Sequence, residues 1–149
     1  MTLSIGDKAP DFTSKDQNGN QISLSDFKGK KLALYFYPKD DTSGCTKQAC
    51  NLRDSLPALS AAGYQIVGVS IDDEKSHKKF IEKFDLNFPL IADTDKQLVV
   101  AYDVWKEKSM YGKKYMGTMR TTFIIDEQGV IVNIIDKVKT DEHASQILG

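Results

Sequence analysis

The feature that most constrains this chain is an order: apolar runs of strand length alternate with stretches of helical pattern. KLALYFYP, from Lys31 to Pro38, is apolar and aromatic without clean alternation, as expected of a strand covered on both faces. A helical pattern then runs from about Thr42 to Gly63, followed by YQIVGVSID as strand, DEKSHKKFIEKFD as amphipathic helix, PLIAD as short strand and KQLVVAYDV as helix. Such βαβα order puts helices against a mostly parallel sheet.

The flanks complete the pattern. DFTSKDQNGNQISLSDFKG reads as two short extended pieces turning at Asn18-Gly19, a pair that tolerates positive φ. RTTFIIDEQGVIVNIID reads as a second hairpin turning over Asp126 to Gly129, and TDEHASQIL as a short closing helix with an Asx/Thr-type cap. The expected fold is α/β and thioredoxin-like: a central mixed β-sheet flanked by helices, with an N-terminal β-hairpin. No repeat, low-complexity tract or linker divides the 149 residues, so residues 1–149 are expected to form one domain.

Charge narrows the partners. Twenty basic against 21 acidic residues give a net charge of -1, which offers no global attraction for nucleic acid or a membrane surface. The N-terminal MTLSIGDKAPDF has no basic region followed by an apolar run, and no stretch approaches the ~18 apolar residues of a membrane span, so a cytoplasmic location is expected. Two cysteines in a reducing compartment favour free or catalytic thiols over a structural disulfide.

Both cysteines lie in GCTKQAC, where strand hands over to helix. With Thr42 as N-cap, Cys45 is the third helical residue, inside the turn whose backbone N–H groups lack helical partners. The macrodipole and those donors favour the thiolate, which is the nucleophilic form. Gly44 lets the backbone approach a bound oxygen, Pro38 shields the strand side, and Tyr37 either walls the pocket or fills the sheet. The plain alternative is an ordinary helix cap beside a buried cysteine. Arg120, at the start of a predicted strand, is either a solvated strand-end residue or a fork of donors for an anion.

PKDDTSGC satisfies P-x-x-x-T-x-x-C, and FYPKDDTSGCTKQACNLRD resembles the bacterioferritin comigratory, or Q-type, branch of the peroxiredoxins. DKAPDF, SIDDEKSHKKF, FPLIAD, VWKEKSMYGKKYMG and RTTFIID resemble that branch in order and spacing, so the likeness spans nearly the whole chain. The resemblance implies a thiol-dependent peroxidase acting on hydrogen peroxide and organic hydroperoxides. It needs no prosthetic group, is recycled by thioredoxin or a similar dithiol protein, and is a monomer or weak dimer. It implies Cys45 as the peroxidatic cysteine, Thr42 and Pro38 as residues that position the peroxide, Arg120 as the active-site arginine and Cys50 as the resolving cysteine. Two departures are Ser43, where many relatives have proline, and Gln48, where many have glutamate. The rival readings are a general thiol-disulfide oxidoreductase, disfavoured by the lack of C-x-x-C, and a non-enzymatic chaperone or redox sensor.

On a regular helix, positions five apart have Cα atoms roughly 8.6 Å apart, beyond the ~7 Å a disulfide spans. If Cys45 and Cys50 pair, the helix must first unwind locally; otherwise Cys50 is a passive helix residue. His77 and His143 are read as members of a solvated helix face and a polar terminal segment, and with two cysteines they lack the spacing of a zinc site, so no metal is expected. Phe80, Ile81 and Phe84 are expected to face the core. Trp105 is read as either lining the site entrance or packing beside a mobile loop.

Overall fold

The computed structural model describes residues 3–149. Strands β1 (Thr13–Lys15) and β2 (Gln21–Ser23) form the expected opening hairpin. Its turn is wider than a two-residue one: Asp16 N donates to Asn20 O and Gly19 N to Asp16 O, and Gly19 alone of the turn pair takes positive φ, at 77°.

The central sheet contains β3 (Lys31–Phe36), β4 (Tyr64–Ser70), β5 (Leu90–Ala92), β8 (Thr121–Ile125) and β9 (Ile131–Ile135) in the order β5-β4-β3-β8-β9. β3 and β4 run parallel, as do β4 and β5, whereas β8 lies antiparallel to β3 and β9 to β8. The sheet is therefore mixed, as expected.

Period-two geometry sends successive side chains of β3 to opposite faces. Leu32, Leu34 and Phe36 join Val67, Val69, Phe123 and Leu98 in one core, while Ala33 and Tyr35, with Tyr37 beyond the strand end, join Cys45, Leu52, Phe80 and Ile147 in the other. Burial on both faces explains why this strand shows no alternation. Gly68 is needed where the second core is tightest: a Cβ there would lie 2.7 Å from Leu90 Cδ2 and 2.9 Å from Tyr35 Cζ.

Five features depart from the sequence reading. The single helix expected from Thr42 to Gly63 is two, α1 (Ser43–Asp54) and α2 (Leu56–Ala61), parted at Ser55. Pro57 has no N–H to give the Arg53 carbonyl, and that carbonyl instead accepts from Asn87 Nδ2 at 3.3 Å. Helix α3 (Glu74–Phe84) follows Asp73, whose carboxylate accepts from Ser76 N; α4 (Gln97–Ala101) is short. Residues 105–118, for which the sequence reading named only a mobile loop beside Trp105, form a further, largely exposed hairpin of β6 (Trp105–Met110) and β7 (Lys113–Thr118). It turns at Tyr111 and Gly112, both at positive φ (53° and 78°). Trp105 packs against the first core with Lys96 Nζ 5.5 Å from its ring centre, which favours the packed-aromatic reading.

The closing helix α5 begins later than expected, at His143, and Glu142 makes no side-chain cap. Its cap comes from α1: Asn51 Oδ1 accepts from Ala144 N at 2.8 Å while Asn51 Nδ2 donates to Asp141 O at 2.9 Å. Both histidines are buried, against expectation. His143 sits between Thr122 Oγ1 at 2.7 Å and Gln146 Oε1 at 2.9 Å. Burial lowers its pKa, the Gln146 bond opposes this, and Arg120 adds to the lowering. It is thus a neutral ring that donates from Nδ1 to Gln146 and accepts the Thr122 hydroxyl at Nε2.

Candidate active site

The loop from β3 to α1 delivers the cysteine. Thr42 occupies the N-cap with extended backbone, and its carbonyl accepts from Thr46 N at 2.8 Å to open the helix. Cys45 is consequently the third helical residue, as expected, and only 2% exposed. Thr42 does not cap with its side chain; its hydroxyl donates back to Lys39 O at 2.9 Å. The first-turn N–H groups of Ser43, Gly44 and Cys45 therefore lie ahead of the helical ladder and receive no Thr42 oxygen.

Arg120, immediately before β8, spans the site. Its Nη2 donates to Cys45 Sγ at 3.3 Å and its Nη1 to Gln48 Oε1 at 2.6 Å, so one planar fork grips two positions of the same helix face. Gly44 serves this arrangement directly. A Cβ at Gly44 would stand 3.1 Å from Arg120 Nη2, so the missing side chain is what admits the guanidinium. Gln48 is fully buried and its Nε2 has no protein partner among the described residues, as is true of the buried Tyr35 hydroxyl. Tyr35 lies within electrostatic reach of the cysteine: its pKa is raised well above the ordinary tyrosine value, first by burial and then by Cys45 and Asp40.

Lys108 of the β6–β7 hairpin also senses the site. Burial and then Arg120 lower its pKa, while Cys45 opposes them. Pro38 is half-buried at the start of the loop. Tyr37, weighed as a pocket wall, is instead 1% exposed with its hydroxyl donating to Asp40 Oδ1 at 2.6 Å, so it fills the space beneath the loop. Cys50 is half-buried on α1, and both thiols are unbonded. The helix is regular across both cysteines, which keeps them in the separated geometry expected of positions five apart.

A polar network under the loop was missed in the sequence. Asp40, Asp72 and His77 bring ligand-type atoms within 4.8 Å of one another, but His77 and Asp40 have already committed theirs to hydrogen bonds.

Residues 5–134 match the AhpC/TSA family, and the chain belongs to that family. Within it the likeness is to the Bcp or Q-type peroxiredoxins, which makes the protein a thiol peroxidase with a thioredoxin-like fold. It is 47% identical to peroxiredoxin Bcp of Bacillus subtilis, over 99% of this chain and 94% of the relative. Against peroxiredoxin Bcp of Escherichia coli K12 the identity is 44%, over 98% and 94%. Among solved structures, peroxiredoxin Q of Xanthomonas campestris superposes with a TM-score of 0.86 at 42% identity, covering 92% of this chain and 87% of that one. PrxQ of Xylella fastidiosa superposes with a TM-score of 0.93 at 35% identity, covering 99% and 94%.

Proposed function

We propose that Cys45 is the peroxidatic cysteine of this peroxidase and Cys50 its resolving partner. The observation that carries the assignment is the 3.3 Å bond from Arg120 Nη2 to Cys45 Sγ in the first turn of α1. The Cys45 thiolate attacks one peroxide oxygen. An S–O bond forms as the O–O bond breaks, and the departing oxygen takes a proton to leave as water or alcohol. Pro38 and Thr42 shape the approach, the N–H groups at Gly44 and Cys45 meet the peroxide oxygens, and Arg120 balances the developing charge. An alkyl peroxide substrate is consistent with the bacterioferritin comigratory protein of Xanthomonas campestris, 41% identical and described by its alkyl peroxide reduction activity.

The Cys45 sulfenic acid then meets Cys50. The Cys50 thiolate attacks the sulfenic sulfur, a disulfide forms and hydroxide leaves as water, after the start of α1 has unwound to bring the sulfurs together. Thioredoxin or a similar dithiol supplies the two electrons and two protons that reopen the disulfide. The protein works in the cytoplasm, as a monomer or weak dimer, without a prosthetic group. Among the described residues no helix is long and apolar enough to cross a membrane.

Peroxide turnover by the wild type, Cys45→Ser and Cys50→Ser tests the roles. The first variant is expected to be inactive; the second oxidises once and stalls as the sulfenic acid unless an external thiol resolves it. Retained turnover in Cys45→Ser would overturn the assignment.

A further inference from the structure

Asp40 lies between Pro38 and Thr42, in the loop that carries the peroxide-positioning residues, and it is fastened from beneath. Its Oδ1 accepts from the Tyr37 hydroxyl at 2.6 Å and its Oδ2 from Ser76 Oγ at 2.8 Å. His77 Nδ1 lies 2.7 Å from the same Oδ2. The Asp40 backbone N–H donates to Asp72 Oδ2 at 2.9 Å, and Ser70 Oγ holds that carboxylate at 2.6 Å. His77 is fully buried, and its second nitrogen lies 2.8 Å from the Ile91 carbonyl.

The chemistry of these partners counts the protons. A backbone carbonyl can only accept, so His77 Nε2 carries a hydrogen. Asp40 already receives two hydroxyl donors, which suits a carboxylate, and the Nδ1 contact then carries the second hydrogen. The imidazole is held as a cation against a buried anion. The charged groups facing it are Asp40 from the loop after β3 and Asp72 from the loop after β4. The Tyr37 hydroxyl lies 3.5 Å from Nδ1, and β5 contributes only the Ile91 carbonyl.

We propose that Asp40 and His77 are positioning residues for the peroxidase reaction. Clamping the Pro38–Thr42 loop onto α3, they hold the first turn of α1 in the ordered form that presents Cys45 and oppose the unwinding that lets it reach Cys50. The inference rests on the roles given above to the two cysteines. The clamp is a charged, buried contact next to the one turn that must open, and Thr42 both ends the clamped loop and supplies the carbonyl of the first helical bond. Loosening it releases the turn without touching either sulfur.

Burial opposes the His77 charge, but the hydrogen bond and attraction of Asp40, helped by the Ile91 carbonyl, outweigh it and raise the pKa. The His77 arm of the clamp is thus in place below the ordinary histidine range and lost as pH rises through the raised value, while the Tyr37, Ser76 and Asp72 contacts stay.

The test follows disulfide closure after one equivalent of peroxide, by quenched-flow mass spectrometry, from about pH 6 to about pH 9. His77→Gln and Asp40→Asn are expected to close about tenfold faster than wild type at the acidic end, the scale of one lost charged hydrogen bond. The His77→Gln to wild-type ratio should fall towards one as the wild-type imidazolium deprotonates. Ser76→Ala, on a half-exposed helix position, keeps the fold and shifts closure in the same direction by less. Hydrogen exchange of residues 39–46 in the reduced proteins reads the clamp without peroxide, and is expected to quicken in His77→Gln at low pH only and in Asp40→Asn, which also weakens the Tyr37 and Ser76 contacts, across the whole range. Equal closure and exchange, or a ratio independent of pH, would overturn the proposal. A wild type that never oxidises at Cys45, with exchange still clamp-dependent, would instead overturn the cysteine assignment.

Discussion

Gly44→Ala separates stability from chemistry at one atom. Gly44 is the second residue of α1 and has no left-handed backbone, so alanine fits the helix backbone, and its helix-propensity gain of up to about 1 kcal/mol is set against the cost of displacing Arg120. Its Cβ would stand 3.9 Å from Thr140 Cγ2, an ordinary contact, but 3.1 Å from Arg120 Nη2. The guanidinium must therefore retreat by a few tenths of an ångström. Nη1 is tethered to Gln48 Oε1 at 2.6 Å, so the fork pivots there and the 3.3 Å contact to Cys45 Sγ is the one that stretches. A hydrogen bond to a charged group contributes about 1.5–3 kcal/mol, and stretching this one forfeits part of that. The rate constant for oxidation by peroxide is therefore expected to fall by up to about tenfold. Single-turnover oxidation of the reduced protein gives this rate, and urea unfolding gives the stability. A wild-type rate in a stably folded Gly44→Ala protein would refute the claim that Arg120 must sit against the sulfur. A rate lost in step with stability would show that Gly44 serves folding alone.

Three further outcomes follow from packing and charge. Gly68→Ala places a Cβ 2.7 Å from Leu90 Cδ2 and 2.9 Å from Tyr35 Cζ, so the urea midpoint should drop by the equivalent of about 1–3 kcal/mol. Asn51→Ala removes the cap that α1 lends to α5, and hydrogen exchange in residues 143–148 should quicken by the equivalent of about 1 kcal/mol while α1 keeps its protection. His143, whose folded pKa is lowered, resists a proton that the unfolded chain takes up, so it contributes stability that is present above the ordinary histidine value and lost as pH falls below it. His143→Asn is accordingly expected to flatten the acid side of the stability curve, measured as urea midpoints between about pH 8 and about pH 5.

The sheet was legible because its strands are buried on both faces or end at Gly and Pro, and the cysteine site because nucleophile, cap and glycine lie within one turn. What stayed hidden was hidden by its neighbours. His77 stands among lysines in EKSHKKFIEKF, yet it shares a helical stripe with Phe80, Ile81 and Phe84, so the i, i+3, i+4, i+7 pattern already placed it inward. His143 likewise shares a face with Ile147. Apart from Trp105 and Thr118 at its base, the β6–β7 hairpin is largely exposed on both faces and therefore shows no apolar alternation; only Tyr111-Gly112 marked the turn. Pro57 signalled the helix break, and a continuous apolar pattern masked it. The contacts made by Arg120 could not be read from sequence, because 75 positions separate it from Cys45 and only the β3–β8 pairing brings them together.

On the roles proposed for the two cysteines, the division of α1 from α2 bears on the mechanism as the cysteine spacing does. Had the helix continued through Pro57, unwinding its start would have had to work against a helix anchored through Leu59 in the core. As built, α1 is a separate segment whose later half is pinned by Asn51 and Leu52, while its first half is held by the loop clamp and by Arg120. Gln48 lies between the two cysteines, so the turn that must open is gripped by the same guanidinium that meets the Cys45 sulfur. In the proposed reaction the attacking thiolate becomes a neutral sulfenic acid at one prong of that fork, which removes its charge from the Arg120 contact just before Cys50 has to arrive, while the Gln48 prong stays.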